Sequence, residues 1–218
     1  MRSTISIVTV CTLMLFGCAS QPYDTSTDHG SMHSAVPADD SRTALSKAMR
    51  DLWADHVVWT RNYIIAAASD SPDAQAAANR LLANQDQIGQ AIVPYYGQEA
   101  GTKLAALLRD HILIAVDLVA AAKANDQARQ QDADRRWHAN AADIATFLSG
   151  ANPNWPRQAV LDMMNEHLAL TTQEAVARLK KDWSGDTATF DKIFDQAMMM
   201  ADALTAGIIK QFPDRFRS

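Results

Sequence analysis

The chain has 218 residues, 48% of them hydrophobic and 21% charged, with 8 Gly, 7 Pro and 2 Cys. That composition excludes a collagen-like, disulfide-rich or wholly disordered chain. A formal net charge of -5 and the lack of any Lys/Arg run give no footprint of a nucleic-acid binder, while abundant Ala, Leu, Gln and Met point to an all-α fold.

The first element is a targeting segment. Arg2 precedes an apolar stretch, Ile5 to Phe16, that is too short to span a bilayer comfortably. It ends in Leu15-Phe16-Gly17-Cys18, which resembles the lipobox of bacterial lipoproteins. The resemblance implies a signal peptide over residues 1–17 and a lipidated, palmitate-type membrane anchor on Cys18. Cys11 would leave with the signal peptide, so the mature chain could form no disulfide. Ala19 rather than Asp follows the cysteine, which for a Gram-negative lipoprotein implies the outer membrane, facing the periplasm.

Residues 18–41 carry Ser, Thr, Asp and Pro without periodicity and read as a flexible tether. Asp28-His29-Gly30-Ser31-Met32-His33 within it reads as solvated linker, with loose copper or nickel binding as the alternative.

Residues 42–218 read as six helices, over 42–68, 72–93, 98–124, 128–149, 156–182 and 187–211. Gly97, Gly150 and Gly185 sit near the expected breaks, with Pro94, Pro153 and Pro213. The odd helices repeat a pattern of acid, His and aliphatic residue: Asp55-His56-Val57, Asp110-His111-Ile112 and Glu166-His167-Leu168. The histidines are 55 and 56 residues apart, and Asn84, Asn140 and Gln196 recur every 56. The expectation is three tandem hairpins of about 56 residues, over 42–96, 97–153 and 154–212. They either close about a pseudo-threefold axis or stack as an open solenoid.

Each histidine lies within an apolar helical stripe, where burial favours the neutral imidazole. In a closed arrangement His56, His111 and His167 converge, and three imidazoles could hold one Zn, Cu or Fe ion. Asp55, Asp110 and Glu166 would then orient the rings from behind, and Glu174 is a candidate fourth ligand. The competing reading keeps the histidines as hydrogen-bonded core, with Asn84, Asn140 and Gln196 as partners, in a structural or partner-binding lipoprotein. No nucleophile constellation, phosphate loop, C-x-x-C or H-E-x-x-H is present, so enzymatic activity is not the expectation.

Trp59-Thr60-Arg61, Pro94-Tyr95-Tyr96-Gly97, Leu107-Leu108 to His111-Ile112 and Asn152-Pro153-Asn154-Trp155-Pro156 resemble those of a functionally uncharacterised family of small helical bacterial proteins. The resemblance spans residues 45–215 and implies a helical fold, with no activity to carry over.

Overall fold

The computed structural model describes residues 38–217, and side chains from residue 41. The signal segment, Cys18 and the linker histidines lie outside these residues. The described chain is all-helical: α1 (Ala38–Ala68), α2 (Ala74–Lys123), α3 (Gln127–Ala151), α4 (Arg157–Leu179) and α5 (Trp183–Gln211), followed by a 3-10 turn at Pro213–Phe216. No strand occurs among the described residues.

Five helices replace the six expected, because 72–93 and 98–124 belong to one element. That element is broken once, at Gly97, whose φ of 82° and ψ of 168° only glycine adopts freely. Beyond the break the chain folds back on itself. A Cβ added to Gly89 would lie 2.5 Å from the Gly101 carbonyl oxygen, although twelve residues of straight helix would separate the two by about 18 Å. Arg109 reaches across the same seam to Asp86 at 3.0 Å.

The other two glycines expected at breaks lie inside helices. Gly150 belongs to α3, and Gly185 to the first turn of α5. Helix α5 starts at 183 because the Asp182 carboxylate accepts the Gly185 N–H at 2.9 Å, and a Cβ at 185 would displace that carboxylate.

The ends of α1, α2 and α4 share one geometry. Asp70, Asn125 and Lys181 have φ of 56°, 55° and 61°. The next N–H in each case reaches back five residues, Ser71 to Ala66, Asp126 to Ala121 and Asp182 to Ala177, at 2.9–3.0 Å. These are Schellman-type stops, satisfying carbonyls that the helix end leaves open.

Successive helices pack against one another, and α5 returns to α1, so the elements close rather than extend as an open stack. Arg50 on α1 and Asp202 on α5 pair across this closure at 2.5 Å. At one end Tyr96 donates to Gln211 and accepts from Asn152, at 2.8 and 2.9 Å, and its ring packs on Trp155 and Phe212. The Pro-Tyr-Tyr-Gly and Asn-Pro-Asn-Trp-Pro segments therefore form one aromatic and amide cap. Met49, Met163, Met164 and Met200 help line a wholly apolar void of about 30 Å³ in the main core, the gap-filling use expected of methionine.

Candidate functional site

His56 on α1, His111 on the second arm of α2 and His167 on α4 are all buried, at 3–4% exposure. They line one cavity of about 80 Å³. The rings of His56 and His167 lie 5.5 Å apart, centre to centre, and His111 packs on Trp137 at 5.2 Å.

Each ring is held from behind by a buried amide. His111 Nδ1 lies 2.7 Å from Asn140 Oδ1, and His167 Nδ1 lies 3.1 Å from Gln196 Oε1. Both amides dock onto the histidine's own helix: Asn140 Nδ2 donates to the Leu107 carbonyl at 3.0 Å, and Gln196 Nε2 to the Met163 carbonyl at 2.9 Å. Those bonds fix the amides so that oxygen faces the ring. The ring must answer with Nδ1–H, which leaves Nε2 as a bare lone pair in the neutral imidazole.

The first histidine departs from this scheme. Asn84 makes the equivalent bond to the Leu52 carbonyl at 3.0 Å, but its oxygen accepts from Gln85. Gln85 Nε2 also donates to the Leu81 carbonyl and faces His56 Nδ1 at 3.2 Å. Both hydrogens of that amide nitrogen go to the Asn84 and Leu81 oxygens, so it packs against His56 Nδ1 without a donor left for the ring. The cavity is thus lined by three imidazoles, of which His111 and His167 each carry an Nε2 lone pair.

Burial pushes His56 well below its ordinary pKa, and the neighbouring His167 and His111 push the same way. Burial lowers His111 to about 3 despite the bond to Asn140, and lowers His167 despite Gln196. All three imidazoles are therefore neutral near pH 7. Three polar atoms of residues lining the cavity lack partners: His111 Nε2, Trp137 Nε1 and Thr171 Oγ1 are buried without a hydrogen bond. Thr60 also lines the cavity, but its hydroxyl is spent on the His56 carbonyl at 2.8 Å. The remaining wall is mainly apolar, including Ile64, Leu118 and Val119, and reaches the surface at exposed Val176.

The expected supporting acids sit elsewhere. Asp55 pairs with Arg80 at 2.5 Å, and Asp110 and Glu166 are exposed. The acid before each histidine points about 100° off the ring's stripe, and the place behind each ring is taken by an amide instead. Glu174 does not line the cavity. It is 1% exposed and accepts from Arg61 at 2.6 Å. Arg61 also binds both oxygens of buried Asp186, at 2.9 and 3.0 Å, and Arg178 reaches Asp186 at 3.1 Å. Burial raises Glu174 to about 7, against the pull of Arg61. The cluster joins α1, α4 and α5 beside the cavity. His138 is exposed, against Asn165 at 3.0 Å, and takes no part.

Among the described residues no group of three or more His, Cys, Asp or Glu side chains is arranged to hold a metal ion. Among the described residues no helix is long and apolar enough to cross a membrane. No known protein family matches the chain, and neither does any curated protein or solved structure.

Proposed function

We propose that this chain is a binding protein whose interior cavity takes up a small ligand against His56, His111 and His167. One observation carries the reading: three neutral imidazoles, each packed against a buried amide, line the same cavity, and three polar atoms of its lining residues, His111 Nε2, Trp137 Nε1 and Thr171 Oγ1, lack partners. Buried polar atoms are rarely left without partners, and a cluster of them beside a void marks a place for a guest. The lipobox at Cys18 supports an envelope lipoprotein tethered outside the cytoplasm. Three copies of one hairpin underlie the design, supported by amides at a constant 29 residues after each histidine and by helix stops at Asp70, Asn125 and Lys181 with the same 55- and 56-residue spacing.

The test is methyl NMR of the full chain under xenon. Ile64, Leu118 and Val119 should shift in the wild type and stay still in Ala115→Leu, which fills the cavity. No shift in the wild type overturns the reading.

A transition-metal ion is the second reading, favoured by the bare Nε2 atoms of His111 and His167, each backed by an amide as ligating histidines commonly are. Using all three rings would require the Gln85 amide to turn over and lose its bond to the Leu81 carbonyl. Elemental analysis after loading with zinc, copper or iron decides it. One equivalent, lost in both His111→Gln and His167→Gln, would replace the small-molecule reading with this one.

A further inference from the structure

We infer that the end of the bundle where the chain enters α1 rests on anionic phospholipid headgroups, in the leaflet that holds the lipid anchor. The inference rests on the lipoprotein reading for that anchor, and it adds which face meets the membrane and which headgroup charge it selects.

Contacts define this end. Tyr96, beside the Gly97 break, is bonded to Asn152 ahead of α4 and to Gln211 at the end of α5, and Arg215 of the 3-10 turn donates to the Pro94 carbonyl. Arg42, near the start of α1, shares a surface groove with Ile209 of α5. Twenty residues separate Cys18 from Ala38, at most about 70 Å of extended chain, which keeps this end within reach of the leaflet.

Positive charge is concentrated there. Eight or more residues from the histidines or their amides, about 12 Å along each helix, this end carries seven Lys and Arg against Asp39, Asp40, Glu99 and Asp214. The remainder of residues 38–217 carries twelve cations against nineteen anions. Lys47 and Arg217 are spent on Asp51 and Asp214. Arg42, Lys103, Arg157, Lys210 and Arg215 are exposed and enter no ion pair among the described residues. An anionic surface attracts these cations and repels the acidic remainder, so it selects one orientation.

The tip suits a headgroup layer in shape as well. A Cβ at Gly97 would meet nothing within 4 Å, and half-buried Tyr95 beside it joins an apolar ring to a polar hydroxyl, the pairing that settles at membrane interfaces. Val176 lies nine residues past His167, on the far side of the histidines, so the mouth of the cavity faces away from the leaflet.

The experiment places the chain, expressed in full and carrying the anchor it acquires, on vesicles of phosphatidylcholine alone or mixed with phosphatidylglycerol. A water-soluble acylating reagent labels amines, and mass spectrometry reads the rate at each lysine. Lys103 and Lys210 should label about tenfold more slowly on the mixed vesicles than on the neutral ones, a modest demand on five unpaired cations. Lys180 and Lys181, exposed at the far end, should label at one rate on both. Salt at ~1 M, which shortens the screening length to about 3 Å, should abolish the protection. Vesicle-bound chain whose Lys103 and Lys210 label equally on both compositions would overturn the face and leave the anchor. Protection of Lys180 and Lys181 instead would overturn the face as well. Chain that floats with neither vesicle would overturn the anchor and the face together. The comparison needs no variant, so loss of folding cannot confound it.

Discussion

Acidification from pH 7 to pH 5 should weaken the fold, and the buried histidines set the sign. His111 sits at about 3 in the folded chain against an ordinary 6.5. The unfolded chain takes up a proton below 6.5 that the folded chain refuses, so this contribution is present above 6.5 and lost as the pH falls. Linkage gives a loss of about 2 kcal/mol for this one residue between pH 7 and pH 5. His56 and His167 are depressed for the same reason and add losses of the same sign. Glu174 opposes them. Raised to about 7 from 4.5, it keeps in the folded chain a proton that the unfolded chain releases, and so returns about 2 kcal/mol over the same interval. Three histidines against one carboxyl leave a net loss. Urea unfolding at pH 7, 6 and 5 measures it. His111→Gln should flatten the profile by about 2 kcal/mol, and Glu174→Gln should steepen it by a similar amount. Wild-type stability that is level or rises towards pH 5, or a slope unchanged by His111→Gln, would refute the reasoning.

Asn140→Ala orphans both the His111 Nδ1–H and one lone pair of the Leu107 carbonyl. It should cost about 2–3 kcal/mol in urea unfolding. Arg61→Met leaves Glu174 and Asp186 buried with Arg178 alone. It should cost about 3 kcal/mol at pH 8 and less at pH 5, where Glu174 is protonated. Gly89→Ala forces a methyl onto the Gly101 carbonyl and should lower the melting temperature. Gly150→Ala, with nothing within 4 Å, should gain about 0.5–1 kcal/mol from helix propensity. Lys181→Gly, relieving a positive φ, should stabilise by a few tenths of a kcal/mol up to about 1.

The sequence made the periodic parts legible. An apolar stripe with a repeated histidine required burial, and the 56-residue recurrence of Asn140 and Gln196 named two of the three ring partners. The third partner, Gln85, was missed by one position. The amides were aligned by their own 56-residue period, which selects Asn84, whereas a constant offset of 29 from each histidine selects Gln85. The glycines misled in part, because a helix tolerates Gly150 on an open face and uses Gly185 to fit an Asp182 cap. Only Gly97 carries the positive φ that breaks a helix. The Arg61, Glu174 and Asp186 cluster joins residues 113 and 125 positions apart, and no local pattern announces such a pairing. The acids before the histidines fall off the apolar stripe by helix geometry, and Asp110 and Glu166 are exposed there.

The central claim is that three neutral imidazoles line the cavity and that His111 and His167 present Nε2 lone pairs. Histidine 15N chemical shifts of the full chain at pH 7 report each ring's tautomer directly. The account predicts the Nδ1–H form for His111 and His167, with none of the three rings protonated. Either of those two in the Nε2–H form, or any of the three as imidazolium, would contradict it.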